Sequence, residues 1–257
     1  MVKMIFSDFD ETMLDYYSVD NYFDKYKINV LKKVQGKGIK FCIVTGRSVP
    51  FFKQFPNLLE VVDYIISSNG ACVYDVKNNK FINHIVIEEN SFKSIIDYTI
   101  NNNGGFLLNC RDRRFKYGVW DVIESYDYSE DNIYSSEQII LSFDEEKLES
   151  VLGFLEKFNN ISVNNITFSD NKCIIDVNDS LVSKGGSVLW LCNYLNIDID
   201  DVIAFGDGEN DKSLFRVVNK GIAVGNAIDR LKVFSKDVAL NCDDNGIYKY
   251  IEENILK

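Results

Sequence analysis

The chain is expected to fold as an α/β protein, a doubly wound parallel sheet interrupted by a smaller α/β insertion. Three observations predict this. Short apolar runs ending in Gly, Asp, Asn or Thr recur near both ends of the 257-residue sequence, at 4–6, 39–44, 64–66, 202–205 and 222–224. Runs of this kind suit strands buried on both faces. Amphipathic segments lie between them, at 29–34, closed by Gly36 and Gly38, and at 49–62, with Pro50 near its start. They read as crossover helices, and the alternation resumes at 187–195, 211–218, 227–234 and 247–256. The middle follows another pattern, so the doubly wound core is divided between 1–77 and 182–257, and 78–181 form the insertion.

Within the insertion, 81–87 reads as a strand, 91–100 as a helix and Asn102-Asn103-Gly104-Gly105 as a break, followed by extended segments through Tyr117. A second strand and helix are expected at 139–143 and 145–158. Segments 161–168 and 173–177 form a hairpin around Ser169-Asp170-Asn171. The Asn-rich, acidic tract 124–136 reads as a solvated loop or an irregular strand pair.

Composition narrows the function classes. A hydrophobic content of 46% is ample for a core without staples. The six cysteines lie 19 or more positions apart with no C-x-x-C pair, so buried thiols in a reducing cytosol are expected rather than zinc or disulfides. Met1-Val2-Lys3-Met4 runs straight into a strand and no apolar stretch approaches membrane-spanning length, so the reading is cytoplasmic, with neither signal peptide nor span. A net charge of −11 disfavours nucleic acid and anionic membranes as partners. Any phosphate site must supply its positive charge locally.

The chemistry-bearing residues fall at strand ends. Asp8 and Asp10 follow the run 4–6, and Asp207-Gly208-Glu209-Asn210-Asp211 follows 202–205. In open α/β sheets ligands bind outside the carboxyl edge, so the two clusters can meet in one crevice. Close carboxylate pairs repel by about 4 kcal/mol at an effective dielectric near 20, which a hard cation relieves. Oxygen ligands without histidine or thiolate point to Mg²⁺. As a catalytic pair, Asp8 is the nucleophile on phosphorus and Asp10 the proton donor; the plainer reading is that both cap turns. Thr45-Gly46-Arg47 ends another strand, where a hydroxyl and free N–H groups can hold phosphoryl oxygens or simply enter a helix. Lys184, before Gly185-Gly186, offers an ammonium that is either catalytic or solvated.

Together DFDET at 8–12, TGR at 45–47, SKGG at 183–186 and GDGEND at 206–211 resemble, in order and spacing, the four motifs of haloacid dehalogenase-like phosphatases. SNGA at 68–71 and GIAVGNA at 221–227 resemble the Cof-type subfamily, which has a Rossmann-like core and an α/β cap in the second insertion position. The resemblance implies that Asp8 is the aspartyl-phosphate nucleophile and Asp10 a general acid, then base. It implies Mg²⁺ held by the Asp8 carboxylate, the Asp10 carbonyl and Asp207, with Asp211 supporting this shell. Phe9, Thr45, Gly46, Lys184 and Asn210 would bind or orient phosphate. One departure is Glu11, where the family commonly has Gly.

Arg111, Arg113, Arg114 and Lys116 form the dense basic stretch of the insertion, and read as a solvated face or as a loop meeting the substrate. His84 is expected at the surface or a hinge. The expected activity is Mg²⁺-dependent hydrolysis of small phosphate monoesters, sugar phosphates leading. Its rivals are a phosphohexomutase on the same fold, a signalling receiver, disfavoured by motif order and length, and a non-catalytic phosphosugar sensor.

Overall fold

In this computed structural model the described residues are 1–15, 23–119, 125–128 and 133–257. The strand β1 (Met4–Ser7) is buried along its whole length and lies at the middle of an eight-stranded sheet. Its parallel neighbours are β12 (Val202–Gly206) and β2 (Lys40–Val44), with Ser7 beside Phe205 and Ile43. Further out lie β3 (Tyr64–Ser67) on one side and β13 (Gly221–Ala223) and β14 (Asp237–Val238) on the other, all parallel. Pairing of β1 with β12 brings acids about 200 residues apart onto one edge.

Two antiparallel strands complete this sheet, β4 (Cys72–Asp75) and β5 (Lys80–His84). The sequence assigns the 81–87 strand to the insertion, whereas β5 hydrogen-bonds to β4 and belongs to the larger sheet. The cause is a tight hairpin: Asp75 Oδ1 accepts from the Asn78 N–H at 3.0 Å and Asn79 adopts φ 50°.

Helix α1 (Lys25–Gly36) starts on Asp24, whose side chain accepts from the Lys27 N–H, and the chain leaves it through Gly38 at φ 72°. Its Ile28, Val30, Leu31 and Val34 are buried in the core. The single helix expected over 49–62 is divided into a 3₁₀ segment, Val49–Gln54, and α2 (Pro56–Leu59). Pro56 lacks an N–H and pushes Phe55 out of the helical region, to φ −118°, ψ 61°.

The second sheet has six strands in the order β10-β11-β9-β6-β7-β8. These are β6 (Gly105–Cys110), β7 (Arg113–Tyr117), β8 (Ser125–Asp127), β9 (Gln138–Asp144), β10 (Ile161–Ser169) and β11 (Lys172–Asp179). β8 falls inside the tract read as a solvated loop or an irregular strand pair, and it pairs with β7; residues 124 and 129–132 of that tract lie outside the described residues. The expected hairpin forms as β10 and β11, with Asp170 and Asn171 both at positive φ, the turn that matches strand twist.

Helices α3 (Glu89–Asn101) and α4 (Leu148–Leu155) cover one face of this sheet, burying Phe92, Ile95 and Val151 against Phe106, Phe115, Ile139 and Phe143. The opposite face turns toward the first sheet. Asn178 ties the two units: its Nδ2 donates to the Ser68 carbonyl at 3.0 Å and to the Glu137 carbonyl at 2.7 Å. The chain then re-enters the core through α5 (Lys184–Tyr194), α6 (Lys212–Val217), α7 (Asp229–Lys232) and α8 (Gly246–Asn254). The cysteines are free, and no helix of the described residues is long and apolar enough to cross a membrane.

Candidate functional site

Asp8 leaves the end of β1 with its N–H donating to the Phe205 carbonyl at 3.0 Å, which locks it beside the β12 edge. Asp207 follows β12, and Thr12 Oγ donates to its Oδ1 at 3.0 Å. Asp211 is fully buried; its Oδ2 accepts from the N–H groups of Asp207 and Gly208, each at 3.0 Å. The turn needs Gly206, because a Cβ there would lie 2.7 Å from the Asp211 carboxylate. Carboxylate oxygens of Asp8, Asp207 and Asp211 all lie within 4.8 Å of one another.

Lys184 is the cation among them, with Nζ 2.5 Å from Asp8 Oδ1 and 2.7 Å from Asp211 Oδ1. It reaches this place from the first residue of α5, where the Ser183 hydroxyl accepts the Gly186 N–H. Gly185 allows the close approach of α6, since a Cβ would meet the Ser213 carbonyl at 2.1 Å. Burial opposes the Lys184 charge, but Asp211 and Asp8 outweigh it and the ammonium is held more firmly than usual.

Burial drives the Asp8 carboxyl well up from the ordinary range; Lys184 counters this, while Asp211, Asp207 and Asp10 add to it. Asp207 is pushed up to about 6, by burial first and by Asp211 next, against Lys184 and Thr12. Three carboxylates and one ammonium leave an excess of negative charge in a buried place. An oxygen-only donor set of this kind fits a hard divalent cation. Asp8 and Asp207 have oxygens to offer, whereas Asp211 is engaged by Lys184 and two N–H groups and braces the others.

Asp10 turns its carboxylate aside to Arg47, with NH2 to Oδ1 3.1 Å and Nε to each oxygen 3.2 Å. The guanidinium lies over the Phe51 ring at 4.6 Å. The sequence marks Arg47 only as part of its triplet and does not identify it as the partner of Asp10. Thr45 is fully buried and its hydroxyl accepts the Arg47 N–H at 3.0 Å, so it shapes this turn. Gly46 keeps clear of Asn69, whose Oδ1 would lie 3.1 Å from a Cβ. Asn69, read in the sequence only within SNGA, proves central: it meets Asn210 Nδ2 at 3.5 Å and donates to Asp176 Oδ2 at 3.3 Å. The Phe9 ring is buried among Phe23, Phe51, Phe52 and Phe55, so any Phe9 contact with phosphate is through backbone.

A cleft of about 580 Å³ opens over Asp8, Asp10, Gly46, Arg47, Asp207 and Asn210, and its far wall comes from the second sheet. Of the three candidate arginines, Arg114 lines it and Arg111 and Arg113 do not. Successive strand residues face opposite ways, so Arg113 lies on the helix-covered side, over the Phe115 ring at 5.2 Å. Arg111 sits in the hairpin turn at φ 53°, its N–H donating to Glu137 at 2.9 Å and its guanidinium 2.6 Å from His84. His84 is exposed at the end of β5, as expected of a surface histidine.

Glu11 occupies φ 56°, a conformation that suits Gly. Burial and the charges of Asp15, Asp10 and Asp243 raise its pKa. Glu11→Gly removes backbone strain and repulsion together and is expected to stabilise the fold by about 1 kcal/mol, or roughly 2 °C in Tm. A lower Tm by calorimetry would show that the Glu11 side chain makes a compensating contact.

Comparison with known proteins places the chain in a family. Residues 5–251 match the family model described as haloacid dehalogenase-like hydrolase. A phosphoglycolate phosphatase from Methanobrevibacter smithii is 27% identical over 231 residues, 89% of each chain. A 5-amino-6-(5-phospho-D-ribitylamino)uracil phosphatase from Bacillus subtilis is 26% identical over 98% of each. The solved structure of a phosphatase of this superfamily from Bacteroides thetaiotaomicron aligns with a TM-score of 0.80 at 22% identity, covering 100% of this chain and 96% of that one. The chain belongs to the haloacid dehalogenase-like hydrolases, in their Cof-type phosphatase group, and is a phosphoric monoester hydrolase.

Proposed function

We propose that this enzyme hydrolyses small organic phosphate monoesters, sugar phosphates leading, through an aspartyl-phosphate on Asp8 and with Mg²⁺ as its metal. The supporting observation is the Asp8–Lys184–Asp211 chain with Asp207 beside it, at the floor of a cleft that the inserted unit roofs. We take 1–77 and 182–257, with β5, as the core and the rest of 78–181 as the cap.

Asp8 attacks phosphorus as the ester oxygen departs, and Asp10 delivers a proton to that oxygen. Asp10 then withdraws a proton from the water that attacks the acyl phosphate, releasing inorganic phosphate and restoring Asp8. Lys184 offsets negative charge on the transferring group, and Asn210 and the Gly46 backbone orient its oxygens. Arg47 keeps the Asp10 carboxylate at the cleft wall. Asp8, the Asp10 carbonyl and Asp207, with Asp211 behind, would hold Mg²⁺, which when bound would supply electrostatic stabilisation of phosphoryl oxygens. The cap excludes bulk water from the cleft.

The named substrates of the two relatives differ from each other at similar identity, so neither name transfers. A phosphate-release screen over a metabolite panel tests the reading. Release is expected to vanish with EDTA, to return with Mg²⁺ and to be inhibited by Ca²⁺, whose looser coordination misplaces the nucleophile. Full turnover in metal-free protein would sink the metal assignment, and accumulation of an isomeric sugar phosphate in place of inorganic phosphate would make the enzyme a mutase.

A further inference from the structure

The cap face of the cleft carries a polar row that the core chemistry does not use. Asn109 on β6 stands directly across from Arg114 on β7 and from Gln138 on β9, so the three side chains share one face. Asn109 Nδ2 donates to Gln138 Oε1 at 2.6 Å. The other ends of this pair, Asn109 Oδ1 and Gln138 Nε2, are buried without a hydrogen-bond partner. Gln138 is fully buried, and Asn109, 2% exposed, lines the cleft beside Arg114.

A buried amide group without a partner is destabilising, and a ligand group that completed its hydrogen bonding would relieve that cost. Asn109 brings an acceptor and Arg114 brings donors only. A donor and an acceptor at cross-strand spacing complement a hydroxyl or a vicinal diol, each of which both gives and takes. The next row along the same face holds Leu107, Ile140 and Asp176, again in register. Asp176 adds an acceptor nearer the core, where Asn69 holds it. Charge points the same way. The lining carries Asp8, Asp10, Glu11, Asp176, Asp207 and Glu209 against Arg47 and Arg114.

We propose that Asn109, fixed by Gln138 and opposite Arg114, is a specificity-determining residue of a cap subsite that takes an uncharged, hydroxyl-bearing leaving group and disfavours a second anionic group. The assignment rests on the phosphatase reading for the identity of the ester. Binding in a protein that does not turn over tests it separately, while phosphate release by the wild type tests that reading.

The Asp8→Asn protein in Mg²⁺ is titrated calorimetrically with inorganic phosphate, a hexitol 6-phosphate and phosphoglycolate. The hexitol ester is expected to bind at least tenfold tighter than inorganic phosphate, and phosphoglycolate no tighter. Adding Asn109→Leu with Gln138→Leu removes both unpartnered amides together and is expected to cut the hexitol advantage at least fivefold. If that variant loses inorganic phosphate binding as well, Asn109→Ser carries the same comparison. A hexitol advantage that is absent in the parent, or that survives in the variants, overturns the proposal, as does tenfold tighter binding of phosphoglycolate.

Discussion

Asp8→Asn is expected to lower turnover by roughly 1,000-fold or more while leaving the fold intact. An amide cannot form the acyl phosphate, so the first half of the reaction has no acceptor. The fold should persist because Asp8 is a strained guest: burial and three neighbouring acids disfavour its charge, and Lys184 is the cation set against them among the described residues. Lys184 also pairs with Asp211, at 2.7 Å, and this contact does not involve the Asp8 side chain. Stopped assays on 4-nitrophenyl phosphate and a sugar phosphate, together with a thermal melt, check both halves. Turnover within tenfold of wild type would refute covalent catalysis by Asp8.

Lys184→Met is expected to have the largest effect on stability. Lys184 is 1% exposed and touches two buried carboxylates. Its removal leaves Asp8 and Asp211 without their counter-charge, and breaking one side of a buried pair costs about 3–5 kcal/mol, or roughly 10 °C in Tm for a chain of this size. The loss has a sign in pH. The folded pKa of Asp8 already lies above its unfolded value, and without Lys184 it rises further. A raised carboxyl favours the fold while protonated, so the Asp8 share of the deficit is absent where both proteins hold the proton and grows as pH rises from the wild-type folded value toward the variant's higher one. Melts of both proteins at pH 5 and pH 8 read this directly. A deficit that is equal at the two values, or absent at pH 8, would mean that Lys184 does not carry the charge balance of the site.

Much of the core was legible from short-range pattern. Runs of apolar residues ending in turn formers locate β1, β2, β3, β12 and β13, because a strand buried on both faces has no other way to be written. Asp170-Asn171 marks the β10–β11 hairpin, since these residue types tolerate positive φ. The acids at 8, 10, 207 and 211 announce the site by type and position at strand ends. Glu11 was visible as a departure, and its positive φ gives that departure a physical meaning.

The sequence by itself determined the class of fold, the four motifs and the acids, the lysine and the amide that meet over the β1 and β12 edge. Tertiary structure alone decided which polar groups became partners. A hairpin at residues 76–79 carried β5 into the larger sheet, and strand alternation chose Arg114 over Arg113 for the cleft. Arg47 found Asp10, 37 positions away, and Asn69 found Asp176, 107 positions away. Asn109 and Gln138 became neighbours only through the register of β6 against β9. Periodicity and turn chemistry act within a few residues and survive in a bare sequence. Register between distant strands, and the facing of one sheet toward another, depend on the packing of the whole chain, and these set which side chains share the cleft.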